Sequence, residues 1–90
     1  MPKIRKLVLD VLKPRLPGAP EFASAIAALG PDHRVILDVQ EIDEKTITTA
    51  ITIEGDALDL ARIEEVVQGM GGAVHSVDHV EVWGDDEPTT

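Results

Sequence analysis

The chain has 90 residues, 43% of them hydrophobic, and its 17 Asp and Glu against 8 Lys and Arg give a net charge of −9. This length predicts one domain with a single small core. The absence of Cys excludes disulfides and Cys-ligated metals. Net negative charge repels phosphate backbones, so we expect no nucleic-acid partner. Because no apolar run approaches the roughly 20 residues that span a bilayer, and no signal peptide is evident, we expect a cytoplasmic protein without membrane contact.

The first half of the chain predicts a strand, a helix and a β-hairpin. Residues 4–12 place apolar side chains on one face at the period of two that a half-buried strand shows. A loop with three prolines follows, and Glu21–Leu29 then has the apolar spacing of a short amphipathic helix. Val35–Ile42 and Thr46–Glu54 are rich in β-branched residues and predict two strands that a turn at 43–45 joins.

The second half predicts a helix and a final strand. Gly55-Asp56 leads into the helix, and Asp59 is its predicted N-cap. A glycine pair at 71–72 ends the helix, since glycine readily adopts the left-handed backbone found after helix ends. Ala73–Val82 then predicts the fourth strand.

The element order β-α-β-β-α-β predicts a ferredoxin-like domain of the α+β class. Right-handed crossovers give a four-stranded antiparallel sheet in the order 4-1-3-2, with both helices on one face. This domain covers residues 1–84, and the acidic segment 85–90 is expected to form a flexible tail. The other sheet face is left open, and by strand parity it carries Lys6, Asp10, Thr48, Thr52 and Glu54.

The predicted topology brings polar residues of the first and fourth strands together. The first strand ends near Asp10, beside the start of the fourth strand, which contains His75, Ser76 and Asp78. Parity puts His75 and Asp78 on opposite faces unless a bulge intervenes, so Asp10 gains one or both as neighbours. Carboxylates suit Ca²⁺ or Mg²⁺, whereas an Asp with a His suits a transition metal or acid–base chemistry. In the purely structural alternative, His75 hydrogen-bonds a loop carbonyl, and Asp10 pairs with a nearby lysine or accepts hydrogen bonds from loop amides.

Three segments carry a resemblance to a known family: LDVLKP at 9–14, TIEGD at 52–56 and MGGAVHSVD at 70–78. In this order and spacing they resemble the archaeal family called Domain of Unknown Function 211. The resemblance implies a ferredoxin-like fold assembled into homo-oligomers, and it implies no established activity. The acidic composition also resembles that of salt-loving archaea, whose proteins stay soluble in high salt. The polar positions of the family fall on Asp10, Lys13, Glu41, Asp43, Glu54, Asp56, His75, Ser76 and Asp78.

From these features we expect a non-enzymatic, self-associating module that binds a divalent cation or a small ligand where copies meet. An open sheet face and two edge strands support self-association, because an exposed edge must be paired or protected. The expected metal ligands are Asp10 and Asp78, with His75 in a supporting position. Ca²⁺ is the first candidate because oxygen donors dominate this set.

Two other functions are compatible with the sequence. A regulatory domain of the amino-acid-sensing type would bind a small molecule between paired copies, and Glu54, Asp56 and Ser76 are the expected ligand contacts. A small enzyme would use Asp10 and His75 as acid and base, although no residue is marked as a nucleophile.

Overall fold

A computed structural model describes residues 2–84, which form four strands and two helices. The predicted acidic tail at 85–90 lies outside these described residues. Neither helix in the described part is long and apolar enough to cross a lipid bilayer. The elements are β1 (Lys3–Pro14), α1 (Ala19–Ala27), β2 (Arg34–Ile42), β3 (Thr46–Leu58), α2 (Leu60–Gly69) and β4 (Ala73–Trp83).

The strands of residues 2–84 form one sheet in the order β2-β3-β1-β4, and every neighbouring pair is antiparallel. This arrangement confirms the predicted ferredoxin-like topology. The two central strands are β1 and β3, and β2 and β4 are the edges.

The core lies between the two helices and one face of this sheet. In β1 the buried residues alternate with partly exposed ones, as expected for a strand with one covered face. The helices are short, and their buried residues recur at the spacing of one helical face. The fully buried apolar residues are Leu7, Leu9, Val11, Phe22, Ile26, Ile51, Ile53, Ile63 and Val67.

The opposite sheet face is open, and its residues follow the predicted parity. Lys6 pairs with Glu54, Asp10 with Ala50, and Leu12 with Thr48, in register between β1 and β3. None of these six residues is buried, although their neighbours along the central strands are.

The third strand is longer than predicted. Gly55-Asp56 was expected to lead into the second helix, but β3 continues to Leu58, which pairs with Ile4. The register between β1 and β3 shifts there, because Lys6 pairs with Glu54 while Ile4 pairs with Leu58. Three residues of β3, at 55–57, therefore lie opposite Arg5 alone, so β3 bulges by two residues here. Strand periodicity does not reveal this departure of the backbone.

The ends of the second helix follow the predicted chemistry. The Asp59 side chain accepts a hydrogen bond from the Arg62 backbone N–H, as an N-cap residue does. At the other end, Gly71 adopts a left-handed φ of +87°. The Gly72 N–H then donates to the Val67 carbonyl, and this turn returns the chain to the sheet.

Lys13 occupies a core-facing position at the end of β1, where an apolar residue is usual. Its side chain is 1% exposed, and its Nζ donates to the Pro14 carbonyl at 2.8 Å. The ammonium also lies 5.3 Å from the centre of the Phe22 ring, within the range of a cation–π contact. Burial, assisted by the nearby charge of Arg15, lowers the pKa of Lys13, and Glu21 partly opposes this shift.

Candidate functional site

Asp10 and Ser76 are paired residues on neighbouring strands of the open face. The Ser76 hydroxyl donates a hydrogen bond to Asp78 Oδ1 at 2.7 Å, which links the Asp78 carboxylate to the Asp10–Ser76 pair. The predicted proximity of Asp10 to this segment of β4 is therefore confirmed. Asp10, Ser76 and Asp78 form what we call the β4 polar cluster.

Two register shifts between β1 and β4 surround this cluster. From Asp10 to Val11 the partner changes from Ser76 to Val74, which leaves His75 as an extra residue. From Val8 to Leu9 the partner changes from His79 to Val77, which leaves Asp78 as a second extra residue. The sequence left open whether the strand is kinked here, and the structure shows that its register slips twice. Such register slips change the direction of side chains, so that successive residues no longer alternate strictly between the two sheet faces.

The β4 polar cluster does not form a complete metal site in a single copy. Within residues 2–84, no three His, Asp or Glu side chains come together as metal ligands. The cluster offers two carboxylates and one hydroxyl, whereas Ca²⁺ takes six to eight oxygen ligands. A cation held here would need further ligands from outside the protomer.

The remaining expected contacts, Glu54 and Asp56, lie in a different part of the sheet. Glu54 is four residues along β3 from Ala50, the partner of Asp10, a separation of about 13 Å along the strand. The structure thus divides the six expected site residues between two regions. Asp10, His75, Ser76 and Asp78 lie in the first, where β1 meets β4, and Glu54 and Asp56 lie in the second.

The second region contains a row of alternating charges across the whole sheet, here called the charge row. Arg34 of β2 pairs with Glu54 of β3, which pairs with Lys6 of β1, which pairs with Glu81 of β4. Glu54 lies between two cations, with Arg34 Nη1 at 3.6 Å and Lys6 Nζ at 3.8 Å. Three of the eight basic residues of this acidic chain lie here when the adjacent Arg5 is included.

Arg5 is an extra residue of β1 and stacks on an aromatic ring. Its guanidinium carbon lies 4.0 Å from the centre of the Trp83 ring, and its Nε donates to the Gly55 carbonyl at 3.1 Å. Arg5 Nη1 lies 3.6 Å from Asp56 Oδ1. The Trp83 indole N–H donates to Glu81 Oε2 at 2.8 Å. Between this stack and the charge row lies an open groove of about 480 Å³, which we call the Arg5 groove.

A largely buried histidine supports one wall of the Arg5 groove. His33 Nδ1 lies 3.1 Å from Asp32 Oδ1, and Asp32 Oδ2 accepts the Asp56 N–H at 2.6 Å. The Asp56 N–H, and then the contact with His33, lower the pKa of Asp32. The His33 side chain is itself only 10% exposed.

Two glycines make room for the His33 ring. A Cβ on Gly30 would lie 2.6 Å from the ring, and one on Gly55 would lie 3.2 Å from Nδ1. The sequence gives no local sign of this packing, because His33 lies in the loop before β2 and Gly55 lies in β3. The sequence shows both glycines, but it does not reveal which side chain packs against them.

Sequence reasoning missed the Arg5 groove as a unit. Parity placed Lys6 and Glu54 together on the open face, which is half of the charge row. Arg5 reaches Asp56 and Trp83 through the bulge near Gly55, and no periodicity predicts that bulge. The signal that could have indicated the groove is that basic Arg5 and Lys6 and the acidic 54–56 segment lie on strands predicted to be neighbours.

Comparison with known proteins identifies the family. The sequence model of DUF211, described as "Uncharacterized ArCR", matches residues 5–86. The chain belongs to the DUF211 family. It is also 40% identical over 77 residues to "Uncharacterized protein MJ0319" of Methanocaldococcus jannaschii, a match that covers 86% of this chain and 79% of that protein. The resemblance carried by the three sequence segments is confirmed, and neither description states an activity.

Proposed function

We propose that this DUF211 protein is a non-enzymatic module that self-associates through its edge strands and binds a divalent cation, Ca²⁺ first, where copies meet. The observation that carries the proposal is the exposure of large apolar residues along an edge strand. On β4, Val77, Val80 and Val82 are 43–52% exposed.

These valines are exposed because the helices are too short to cover the whole length of the sheet. Val77, Val80 and Val82 pair with Leu9, Leu7 and Ile4, so by register they belong to the helix-covered face. Helices of 9 and 10 residues span about 15 Å, whereas strands of 12 and 13 residues span about 40 Å. The sheet therefore extends well beyond the helices.

The β2 edge has a similar apolar character. Val39 and Ile42 of β2 are exposed. They pair with Thr49 and Ile47 of β3, respectively. An edge strand also presents unpaired backbone groups, which favour pairing with another strand. Contact between β4 edges gives a twofold dimer, and contact between a β4 edge and a β2 edge gives a closed ring or an open filament.

The position of the β4 polar cluster connects self-association with cation binding. Its two acids, Asp10 and Asp78, lie at or next to an edge strand, within reach of a neighbouring copy. Each copy supplies too few oxygens for Ca²⁺, so ligands from the neighbour, or water, complete the coordination. His75, also on β4, remains the proposed supporting ligand.

Size-exclusion chromatography with light scattering tests self-association, at about 0.15 M and about 2 M KCl to screen the repulsion between acidic copies. We expect the wild type to elute as an oligomer and Val80→Lys to shift toward the monomer. Ala61→Lys, at an exposed position on α2, is the matched control and keeps the wild-type mass. A monomeric wild type at millimolar concentration in both salts would overturn this part.

Native mass spectrometry of the desalted protein with Ca²⁺, Mg²⁺ or Zn²⁺ tests the cation separately. Asp10→Asn and Asp78→Asn are expected to lose Ca²⁺ uptake, while Glu65→Gln on the exposed surface of α2 retains it. An oligomer that takes up none of the three cations contradicts the cation proposal and leaves self-association standing. Uptake of Zn²⁺ alone, lost in His75→Ala, would replace Ca²⁺ with a transition metal.

A further inference from the structure

We propose that the Arg5 groove binds a small zwitterion, a molecule with one carboxylate and one protonated amine, as in a free amino acid. The groove lies about 13 Å along β3 from the β4 polar cluster and holds different residues. The inference therefore does not rest on self-association or on cation binding.

Arg34 supplies the carboxylate-binding side of the groove. Its side chain is 72% exposed, and its Nη1 lies 3.6 Å from Glu54 Oε1. That separation exceeds the 2.7–3.2 Å range of a direct hydrogen bond, so the pair is loose. A planar guanidinium with donors facing solvent can bind a carboxylate through two parallel hydrogen bonds. Lys6, at 3.8 Å from the same glutamate, adds a second positive charge nearby.

Asp56 supplies the amine-binding side. Its carboxylate is 68% exposed and lies 3.6 Å from Arg5 Nη1, again longer than a direct hydrogen bond. Its backbone, in contrast, is held in place, because the Asp56 N–H donates to Asp32. The bulge thus presents a carboxylate at a defined position while leaving its oxygens accessible to an ammonium group.

The stacked pair of Arg5 and Trp83 forms a wall with apolar surface on the β1–β4 side of the groove. The indole ring is half exposed and is oriented by its hydrogen bond to Glu81. The exposed part of the ring offers apolar surface to the aliphatic part of a ligand. The groove volume of about 480 Å³ falls in the usual range of about 300–1,000 Å³ for small-molecule sites.

The charge balance favours a zwitterion over a simple anion or cation. The groove is lined by three cations, Arg5, Lys6 and Arg34, and by four carboxylates, which include Glu54 and Asp56. An anion without an amine would face those carboxylates and the net charge of −9. A cation without a carboxylate would face the two arginines. A ligand that carries both charges can match both sides of the groove at once.

The single Trp of the chain makes the proposal directly testable, because Trp83 lies in the groove. The ¹⁵N-labelled protein is titrated with each of the 20 amino acids, while the one indole N–H resonance is followed by NMR. We expect at least one amino acid to shift this resonance saturably, with half-saturation at or below about 1 mM. Propionate and ethylamine, which each keep one of the two charges of alanine, are expected to produce no saturable shift.

Variants of the two sides give the second part of the test. Arg34→Gln and Asp56→Asn should each weaken binding by about tenfold or more, since each removes a charge-assisted hydrogen bond. Lys45→Gln and Glu44→Gln, in the turn at the far end of the sheet, should bind like the wild type. The dispersion of backbone resonances confirms that each variant is folded.

Three results would overturn the inference. The first is a folded wild type whose indole resonance no amino acid shifts at about 50 mM, far above a useful affinity. The second is saturable binding of propionate as strong as that of the best amino acid, which indicates an anion site. The third is unchanged binding in both Arg34→Gln and Asp56→Asn, which places the ligand elsewhere.

Discussion

The carboxylate of Asp32 accepts a 2.6 Å hydrogen bond from the backbone N–H of Asp56, 24 residues later in the chain. This contact joins the segment before β2 to the bulge of β3 and so determines where the Asp56 side chain lies. The other oxygen of Asp32 contacts the ring of His33. One exposed carboxylate therefore connects a loop, a bulge and a nearly buried imidazole.

The lowered pKa of Asp32 predicts a loss of stability in acid. A carboxyl whose pKa is lower in the folded state than in the unfolded chain stabilises the fold above the unfolded value of about 3.9. That contribution disappears as the pH falls below this value and through the lower, folded pKa. Asp32→Asn should thus be less stable than the wild type at pH 7, with a difference that shrinks toward pH 3. Urea unfolding between these pH values measures it, and a constant difference would contradict the linkage.

Lys13 predicts a second rise of stability with pH, this time in the alkaline range. Its folded pKa is lowered by burial, so between this value and about 10.4 the unfolded chain binds more protons. Stability therefore rises with pH across that window. In Lys13→Met we expect this rise to be absent, and the exposed Lys45→Met is the control that should keep it. Equal pH profiles for Lys13→Met and the wild type would show that Lys13 titrates normally.

The same position tests packing by the lysine side chain. Lys13 is almost fully buried against the Phe22 ring, so its methylenes fill core volume. Lys13→Ala should lower the free energy of unfolding by about 2–4 kcal/mol, because a cavity is left. Lys13→Met, which retains most of the volume, should cost much less. Chemical denaturation at pH 7 compares the two variants, and equal losses would indicate that charge rather than volume matters.

Gly72 and Gly69 form a matched pair for the turn after α2. A Cβ on Gly72 would lie 3.0 Å from Phe22 Cζ and 3.1 Å from Val67 Cγ1. Gly72→Ala should therefore destabilise the fold by about 1–3 kcal/mol through overpacking. Gly69 is helical, and beyond its chain neighbours and its own helix backbone no atom lies within 4 Å of an added Cβ, so Gly69→Ala should stabilise by about 0.5–1 kcal/mol. Thermal unfolding should show shifts of opposite sign.

Asp59 tests the N-cap of α2. Asp59→Ala removes the acceptor of the Arg62 N–H and should cost about 1 kcal/mol. Asp59→Asn retains an oxygen in the same place and should cost little. A similar loss in both variants, measured by urea unfolding, would show that the charge at the helix N-terminus matters more than the hydrogen bond.

Much of the fold was predictable from local patterns. The alternation in β1, the apolar spacing in the first helix, and the Asp59 cap and glycine pair of the second helix identified these elements. The element order led to the correct strand arrangement. The predicted bounds were shorter for every strand, and α1 begins at Ala19 and ends at Ala27 rather than spanning Glu21–Leu29. Sequence signals weaken at element ends, where turn chemistry and pairing compete.

The amino-acid sequence by itself determined the family, the topology and the proximity of Asp10 to the 75–78 segment, because these follow from periodicity, chain order and the resemblance of three segments. Only the tertiary structure decided which polar residues meet. The slips of β4 and the bulge of β3 divide the expected site into two regions and create the Arg5 groove. Such irregularities depend on the fit between neighbouring strands, which are far apart in the chain and leave no periodic trace within it.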